Sequence, residues 1–158
     1  MKFELRDAKI EDTPACHQLI IDLAVYENAP NAVTNTLEQF TEDGFGENPI
    51  YKMYVAEAEN GEMLGLVLFM LGYSTWKGKL LYVDDLVVKA GYRRFGIGTS
   101  LIKRVVNFAK ENAVKIVKWQ VLDWNRPAIS LYKKLGLTLD AEWIDCKIYE
   151  HQFDEFGS

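Results

Sequence analysis

Apolar positions change their spacing several times along the chain, and each change marks an element. Lys2 to Asp7 alternates in the manner of a short strand. Asp12 and Thr13 then precede Pro14, an N-cap followed by an early helical proline, and Ile20, Leu23 and Ala24 share one face of the helix this predicts as far as Tyr26. Asn28 to Asn35, broken by Pro30, reads as a loop. Thr36 opens a second short helix with Leu37 and Phe40 at i and i+3, and Gly44-Phe45-Gly46 closes it.

From there the period becomes extended. Tyr51 to Ala58 and Met63 to Tyr73 are apolar and β-rich, separated by Glu59-Asn60-Gly61, whose Asn-Gly pair signals a hairpin. A second turn at Trp76 to Lys79 leads into Leu80 to Val88, which completes a predicted antiparallel meander. After a glycine-rich loop, Leu101, Ile102, Val105, Phe108 and Ala109 form the apolar stripe of a helix ending near Asn112. Val114 to Leu122 reads as a strand and Asp123 to Pro127 as a loop. Ala128 to Leu135 follows as a helix stopped by Gly136, then closing strands around Thr138 to Trp143 and Asp145 to His151. The order β-α-α-β-β-β-α-β-α-β-β predicts an α+β class and one domain over residues 1–158.

Composition narrows the functions open to such a domain. With 49% hydrophobic residues the chain can offset the entropy of folding, which excludes disorder. Eighteen Lys and Arg against 23 Asp and Glu leave a net charge of −5, which disfavours nucleic acid and suits a cationic small molecule. Cys16 and Cys146 make no disulfide framework, CxxC and HExxH are absent, and His17 and His151 stand far apart, so no metal site is expected. Glu4, Asp7, Glu11 and Asp12 are the wrong chemistry for a signal peptide. The longest apolar run, Leu64 to Leu71, is short of the roughly 18 residues a membrane helix needs, and a cytoplasmic protein is expected.

The densest local signal is Arg93-Arg94-Phe95-Gly96-Ile97-Gly98, between a strand and a helix. A glycine-rich entry to a helix presents unpaired N–H groups at the positive end of the helix dipole, and such a site holds phosphate without needing lysines. The same residues also suit an ordinary strand-to-helix turn. Leu101 stands where the dinucleotide fingerprint needs its third glycine, and the Gly-Lys-Ser/Thr of the NTPase loop is missing, so both nucleotide readings fall.

Taken together, Arg93-x-x-Gly96-x-Gly98 resembles the pyrophosphate-binding motif of the GNAT superfamily of N-acetyltransferases. Downstream, Asn125-Arg126-Pro127-Ala128-Ile129-Ser130-Leu131-Tyr132-Lys133-Lys134-Leu135-Gly136 resembles that family's N-x-x-A-x-x-x-Y-x-x-x-G motif. Tyr26-Glu27, Glu42-Asp43-Gly44-Phe45-Gly46, Gly78-Lys79-Leu80-Leu81-Tyr82 and Phe95-Gly96-Ile97-Gly98 look like the spermidine/spermine (diamine) N-acetyltransferases and their thialysine-acetylating relatives.

The resemblance implies a GNAT fold, a mixed sheet of six to seven strands flanked by about four helices, and acetyl-coenzyme A as co-substrate. Arg93, Arg94, Phe95, Gly96, Ile97, Gly98 and Thr99 would hold the pyrophosphate, with Asn125 and Tyr132 also on the cofactor side. Leu86, Val87 and Val88 would lie on a splayed strand that binds the pantetheine arm. Tyr132 matches the family's general acid, and phenols keep their proton at neutral pH. Asp84 and Asp85 stand where the polyamine enzymes carry Glu-Asp, Asp84 being the candidate catalytic carboxylate; strict alternation would turn only one of the two into the cleft. Tyr26, Glu27 and Glu142 match substrate-side positions, and Tyr73 and Trp76 are candidate walls of an amine groove. The implied reaction is direct acetyl transfer to a primary amine of a small polycation by a homodimer. The alternatives are acetylation of thialysine, another amino acid or a protein, and a non-catalytic acyl-coenzyme A-binding domain. Lys133 and Lys134 read better as a solvated helix face than as phosphate ligands.

Overall fold

A computed structural model describes residues 1–156, which gather into two compact units, Met1–Gln120 and a C-terminal unit beginning at Val121. The first unit holds a five-stranded sheet in sequential order, β1 (Phe3–Asp7), β2 (Lys52–Ala58), β3 (Met63–Ser74), β4 (Gly78–Val88) and β5 (Ile116–Lys118). The first four strands are antiparallel neighbours and β5 runs parallel to β4. Parallel strands need a long crossover, and here it is α3 (Ile97–Glu111).

Helices cover both faces of this sheet. On one face, α1 (Thr13–Tyr26) and α2 (Leu37–Phe45) bury Cys16, Leu19 and Phe40 against Met53, Val55, Leu66, Leu68 and Val87. On the other, α3 buries Ile97, Leu101, Val105 and Ala109 against Tyr54, Val67, Phe69, Leu81 and Val83. Strands clad on both faces need apolar residues at successive positions, which is why β2 and β3 read as runs rather than clean alternations.

Polar groups set the element ends. Pro14 lies in the first turn of α1, and the Thr36 hydroxyl caps α2 by accepting from the Gln39 amide at 3.1 Å. Arg6 on β1 ties three segments together. Its guanidinium donates to both carboxylate oxygens of Asp12, at 2.6 and 2.9 Å, and to Glu57 of β2. Asp12 in turn accepts from the Lys9 amide, which fixes the 3₁₀ turn before α1.

In the C-terminal unit, α4 (Arg126–Lys134) begins at Asn125, whose side chain accepts from the Ala128 amide at 3.3 Å. Gly136 follows α4 with φ of 77°, the left-handed stop expected from its sequence.

The expected closing strands are corrected. Among the described residues, neither Thr138 to Trp143 nor Asp145 to His151 forms a strand, and the chain ends in a 3₁₀ turn at Glu150–Gln152 and the short α5 (Phe153–Phe156). The sheet therefore has five strands instead of six or seven. Strand propensity alone does not hold a strand that lacks a ladder partner. Locally, the Glu142 amide donates to the Asp140 carboxylate at 3.0 Å, an Asx turn that breaks the extended run.

Candidate active site

The site in the first unit starts with a slip in one strand. Leu68 of β3 faces Asp85, whereas Phe69 faces Val83, so Asp84 is an extra residue, a β-bulge. The slip resets which face each side chain takes. Val83 packs on the α3 side, and so do Leu86 and Val88, while Val87 packs with α1 and α2. Parity therefore flips between Val83 and Leu86, and Asp84 and Asp85 both fall on the α1 side. The expectation that alternation would leave only one of them there is corrected by the bulge.

A bulged strand also bends. β4 and β5 pair only over Leu80, Leu81 and Tyr82 with Ile116, Val117 and Lys118, and the bulge begins two residues further on. The expected strand Val114 to Leu122 is corrected to Ile116–Lys118, the only residues of it that pair with β4. Leu86, Val87 and Val88 lie beyond the end of the parallel pairing. Under α3, an apolar notch is lined by Val83 and Leu86 of β4, Ile102 and Val106 of α3, and Val117 and Trp119. The Tyr82 hydroxyl donates to the Gln120 side chain at 2.9 Å.

After β4, a clamp precedes the glycine-rich loop. The Tyr92 hydroxyl donates to Glu62 at 2.7 Å, Lys89 pairs with the same carboxylate, and the Lys89 amide donates to Leu64. These two donors hold the Glu62 carboxyl below the usual carboxylate range. Arg94 then has φ of 69° and Gly96, the N-cap of α3, has φ of 84°. A Cβ on Gly96 would meet nothing within 4 Å, so glycine serves its left-handed backbone and not a close approach.

The first turn of α3 has no acidic residue and no side-chain cap; the earliest of its amides to bond back is that of Ser100, to Gly96 at 2.9 Å. The amides of Ile97, Gly98 and Thr99 thus stand open at the positive end of a 15-residue helix, a seat for an anion. A Cβ on Gly98 would touch only Val88 Cγ2 at 3.6 Å, leaving its outer side clear. Phe95 is exposed beside this turn.

At the other end of the cleft, α1 stops at Tyr26, and Glu27 is its C-cap, with its amide bonded to Leu23 at 2.9 Å. A carboxylate at the negative end of a helix opposes the local dipole. Burial raises the Glu27 carboxyl above its ordinary value. Burial, then the charges of Asp84 and Glu27, push Asp85 from 3.8 up to about 6. Three carboxyls and a helix C-terminus thus create a local negative potential that a cation would relieve.

Arg93 lies near this pole. Its guanidinium carbon is 4.5 Å from the centre of the Tyr26 ring, and its Nε donates to the Val88 carbonyl at 3.2 Å. Two candidate walls do not join the group. Tyr73 pairs with Lys79, five residues before Asp84 on β4 or roughly 17 Å along a strand, and its parity with Phe69 puts it on the α3 side. Trp76, in the turn beyond, is 80% exposed.

In the C-terminal unit, Tyr132 is buried within α4, Asn125 caps that helix, and Glu142 is exposed in the turn after it. The features that sequence reasoning missed are the bulge and the Arg93–Tyr26 stack. The adjacent Asp84-Asp85 pair, breaking an apolar run at its middle, was the available signal for the first.

A bulged strand whose end is unpaired on the β5 side leads into a helix with open N-terminal amides, which sets an extended edge beside a seat for an anion. The chain belongs to the acetyltransferase (GNAT) family, whose profile matches residues 15–137. It is 40% identical over 139 residues to a thialysine N-epsilon-acetyltransferase of Bos taurus, covering 84% of this chain and 82% of that protein. It is 31% identical over 147 residues to a Homo sapiens spermidine/spermine N(1)-acetyltransferase-like protein 1, covering 89% of this chain and 21% of that protein. Among solved structures, an integron cassette protein from the mobile metagenome of V. cholerae superposes with a TM-score of 0.80 at 20% identity, covering 99% and 98% of the two chains. The protein is an N-acetyltransferase, and acetyl-coenzyme A is the acetyl donor of its family.

Proposed function

We propose that the protein acetylates a primary amine of a small polycation by direct transfer in a ternary complex. The observation that carries this reading is the gathering of Glu27, Asp84 and Asp85 at the negative end of α1, in the same unit as the open amides of α3. The backbone of Arg93 to Thr99 binds the pyrophosphate of acetyl-coenzyme A, with Arg94, Phe95 and Gly96 shaping the turn. Leu86, Val87 and Val88 offer the edge that the extended pantetheine arm follows, and a backbone donor there polarises the acetyl carbonyl.

The amine arrives as an ammonium. Its proton passes to the Asp84–Asp85 pair, directly or through water; Asp85, held near 6, is poised to accept it, and Asp84 adds charge to draw the cation in. The nitrogen then forms its bond to the acetyl carbon as the carbon–sulfur bond breaks. The second motif supports Tyr132 as the donor of a proton to the departing thiolate, with Asn125 starting the helix that carries it. Tyr26 and Glu27, and on the resemblance Glu142, receive the distal charges of the substrate. The resemblance supports a cytoplasmic homodimer.

A second reading is favoured by the 40% identity to a thialysine enzyme: an amino-acid-like amine in place of a polyamine. One assay separates them, acetyl transfer from acetyl-coenzyme A across polyamines, diamines, lysine analogues and peptides, with the acetylated position determined. Highest kcat/KM for a polyamine or diamine supports the first reading, and for a lysine analogue the second. Absence of turnover on every amine overturns both.

A further inference from the structure

Glu62 lies in the turn between β2 and β3, 30 positions before Tyr92, and belongs to none of the motifs. Its backbone is held from both sides. The amide donates to the Asn60 side chain at 3.1 Å, and the carbonyl accepts from the Ala58 amide at 2.9 Å. From this tight turn the carboxylate takes two donors, the Tyr92 hydroxyl on Oε2 at 2.7 Å and the Lys89 ammonium on Oε1. The two donors also touch each other, with Lys89 Nζ 5.9 Å from the centre of the Tyr92 ring.

Both donors sit on the segment that leads from β4 into the glycine-rich loop. The Lys89 amide donates to the Leu64 carbonyl at 2.9 Å, and the Tyr92 amide to the Lys89 carbonyl at 2.8 Å, closing the 3₁₀ turn Ala90–Tyr92. A Cβ on Gly65 would stand 2.6 Å from the Val87 carbonyl oxygen, so the end of β4 is pressed onto the start of β3. Beyond Tyr92 the backbone is costly to hold, because Arg94, which has a Cβ, takes φ of 69°. Such a conformation persists where the surroundings over-determine it. The Tyr92 ring packs on the α3 core at one end of this stretch and Ile97 is buried at the other, while residues 93–96 between them are exposed. Glu62 thus pins the near end of the loop from a different hairpin.

We propose that Glu62 is a positioning residue for acetyl-coenzyme A: through the Tyr92 hydroxyl and the Lys89 ammonium it fixes the entry of the loop, and so aims the open amides of Ile97, Gly98 and Thr99 at the pyrophosphate. The inference rests on the cofactor-side reading above. Its sign separates it from plain electrostatics. A carboxylate repels an anion, so if Glu62 acted by charge its removal would tighten the cofactor and leave Lys89 free to attract it. If Glu62 acts by holding Tyr92, its removal loosens the cofactor.

The test compares Glu62→Ala, Glu62→Gln, Tyr92→Phe and the double variant Glu62→Ala with Tyr92→Phe in the full chain. Two donors are used, acetyl-coenzyme A and acetyl-pantetheine, which keeps the thioester and lacks the pyrophosphate. Glu62→Ala and Tyr92→Phe are expected to raise the acetyl-coenzyme A KM about tenfold. The amine KM, and kcat/KM for acetyl-pantetheine, should stay within about twofold. Glu62→Gln still offers the Tyr92 hydroxyl an acceptor and should recover part of the loss. The double variant should be no worse than the worse single, because both changes break one bond. A lower or unchanged acetyl-coenzyme A KM in Glu62→Ala overturns the proposal, as does additivity in the double variant. An equal loss with acetyl-pantetheine also overturns it, since that marks damage to the fold at large.

Titration calorimetry with coenzyme A gives a readout independent of turnover, and Kd should rise about tenfold in Glu62→Ala and in Tyr92→Phe. Gly98→Ala, measured alongside, gauges the anion seat itself. If Gly98→Ala weakens coenzyme A while Glu62→Ala does not, the seat stands and the positioning role falls. If Gly98→Ala leaves coenzyme A binding unchanged, the seat lies elsewhere and both fall.

Discussion

Asp85 sits directly across the β3–β4 ladder from Leu68, yet the next pair along is Phe69 with Val83, so that Asp84 has no cross-strand partner. That single extra residue brings two carboxyls to one face, within the stretch of β4 beyond Tyr82 that has no β5 partner. Removing Asp84 from the chain should restore regular pairing, extend β5 and abolish turnover while leaving the protein folded. Near wild-type turnover by a folded deletion variant would show that the bulge is dispensable.

The proton-accepting role proposed for Asp85 has a pH signature. With its carboxyl near 6, the ionised form that accepts a proton is lost as pH falls below that value. The kcat/KM for the amine should therefore fall on the acid side with a midpoint near 6, and Asp85→Asn should reduce kcat by about a hundredfold and remove that limb. Asp84→Asn should raise the amine KM and shift the midpoint downward, since one neighbouring charge is gone. An unchanged midpoint in Asp84→Asn would separate the two carboxyls.

The same residue makes an opposite prediction for stability. A carboxyl at 3.8 when unfolded and about 6 when folded binds more protons in the fold between those values. Its stabilisation is fully present below about 4 and is lost as pH rises through 6. Asp85→Asn should therefore be more stable than wild type at pH 7.5, by at most about 3 kcal/mol, and show no gain at pH 4. Thermal unfolding at the two pH values measures this, and a gain in Tm together with a loss of turnover is the expected pairing.

Much of this site was legible in the chain. Alternation and turn residues located β1 to β4 within a residue or two, and Asp12-Thr13-Pro14, Thr36 and Gly96 located the helix starts, of which Thr36 alone caps through its side chain while Pro14 and the left-handed Gly96 act through backbone conformation. The Gly96-x-Gly98 loop and the Asp84-Asp85 pair were visible as residue types. What was not legible was non-local. Whether Asp84 and Asp85 share a face depends on the register with Leu68 and Phe69. The stop of β5 at Lys118 depends on where its ladder with β4 ends, and Thr138 to Trp143 has strand composition but no ladder among the described residues. Arg93 was read with its loop, since nothing in sequence connects it to Tyr26, 67 positions earlier.

The two loop glycines should separate backbone conformation from access. Gly96→Ala forces a Cβ onto φ of 84°, costing about 1 kcal/mol of stability with no clash. Gly98→Ala meets only Val88 at 3.6 Å and gains helix propensity, so Tm should hold or rise. Its new methyl nonetheless stands among the amides proposed to bind the pyrophosphate, and the acetyl-coenzyme A KM should rise about tenfold. An unchanged KM in Gly98→Ala would move the anion away from this turn.

Tyr132→Phe removes one hydroxyl from a buried ring in α4. If that hydroxyl protonates the departing thiolate, kcat should fall about a hundredfold while coenzyme A affinity stays within twofold. The loss should shrink as the leaving thiol becomes more acidic, because a better leaving group needs less help. Retained turnover would assign the proton to another donor.

The Arg6 cluster tests stability apart from chemistry. Arg6 donates to Asp12 and Glu57, and the Asp12 carboxyl is held below its ordinary range, chiefly by its hydrogen bonds to Arg6. A depressed carboxyl stabilises the fold above its unfolded value of 3.8 and loses that contribution as pH falls through its folded value. Arg6→Ala leaves two partly buried carboxylates facing each other and should cost about 2 kcal/mol at pH 7. As pH falls from 7 through the folded value of the Asp12 carboxyl, the charge that Arg6 pairs with is lost, and the gap in Tm should narrow. A gap independent of pH would mean that Arg6 acts through packing of its aliphatic stem between β1 and β2 instead of through its charge.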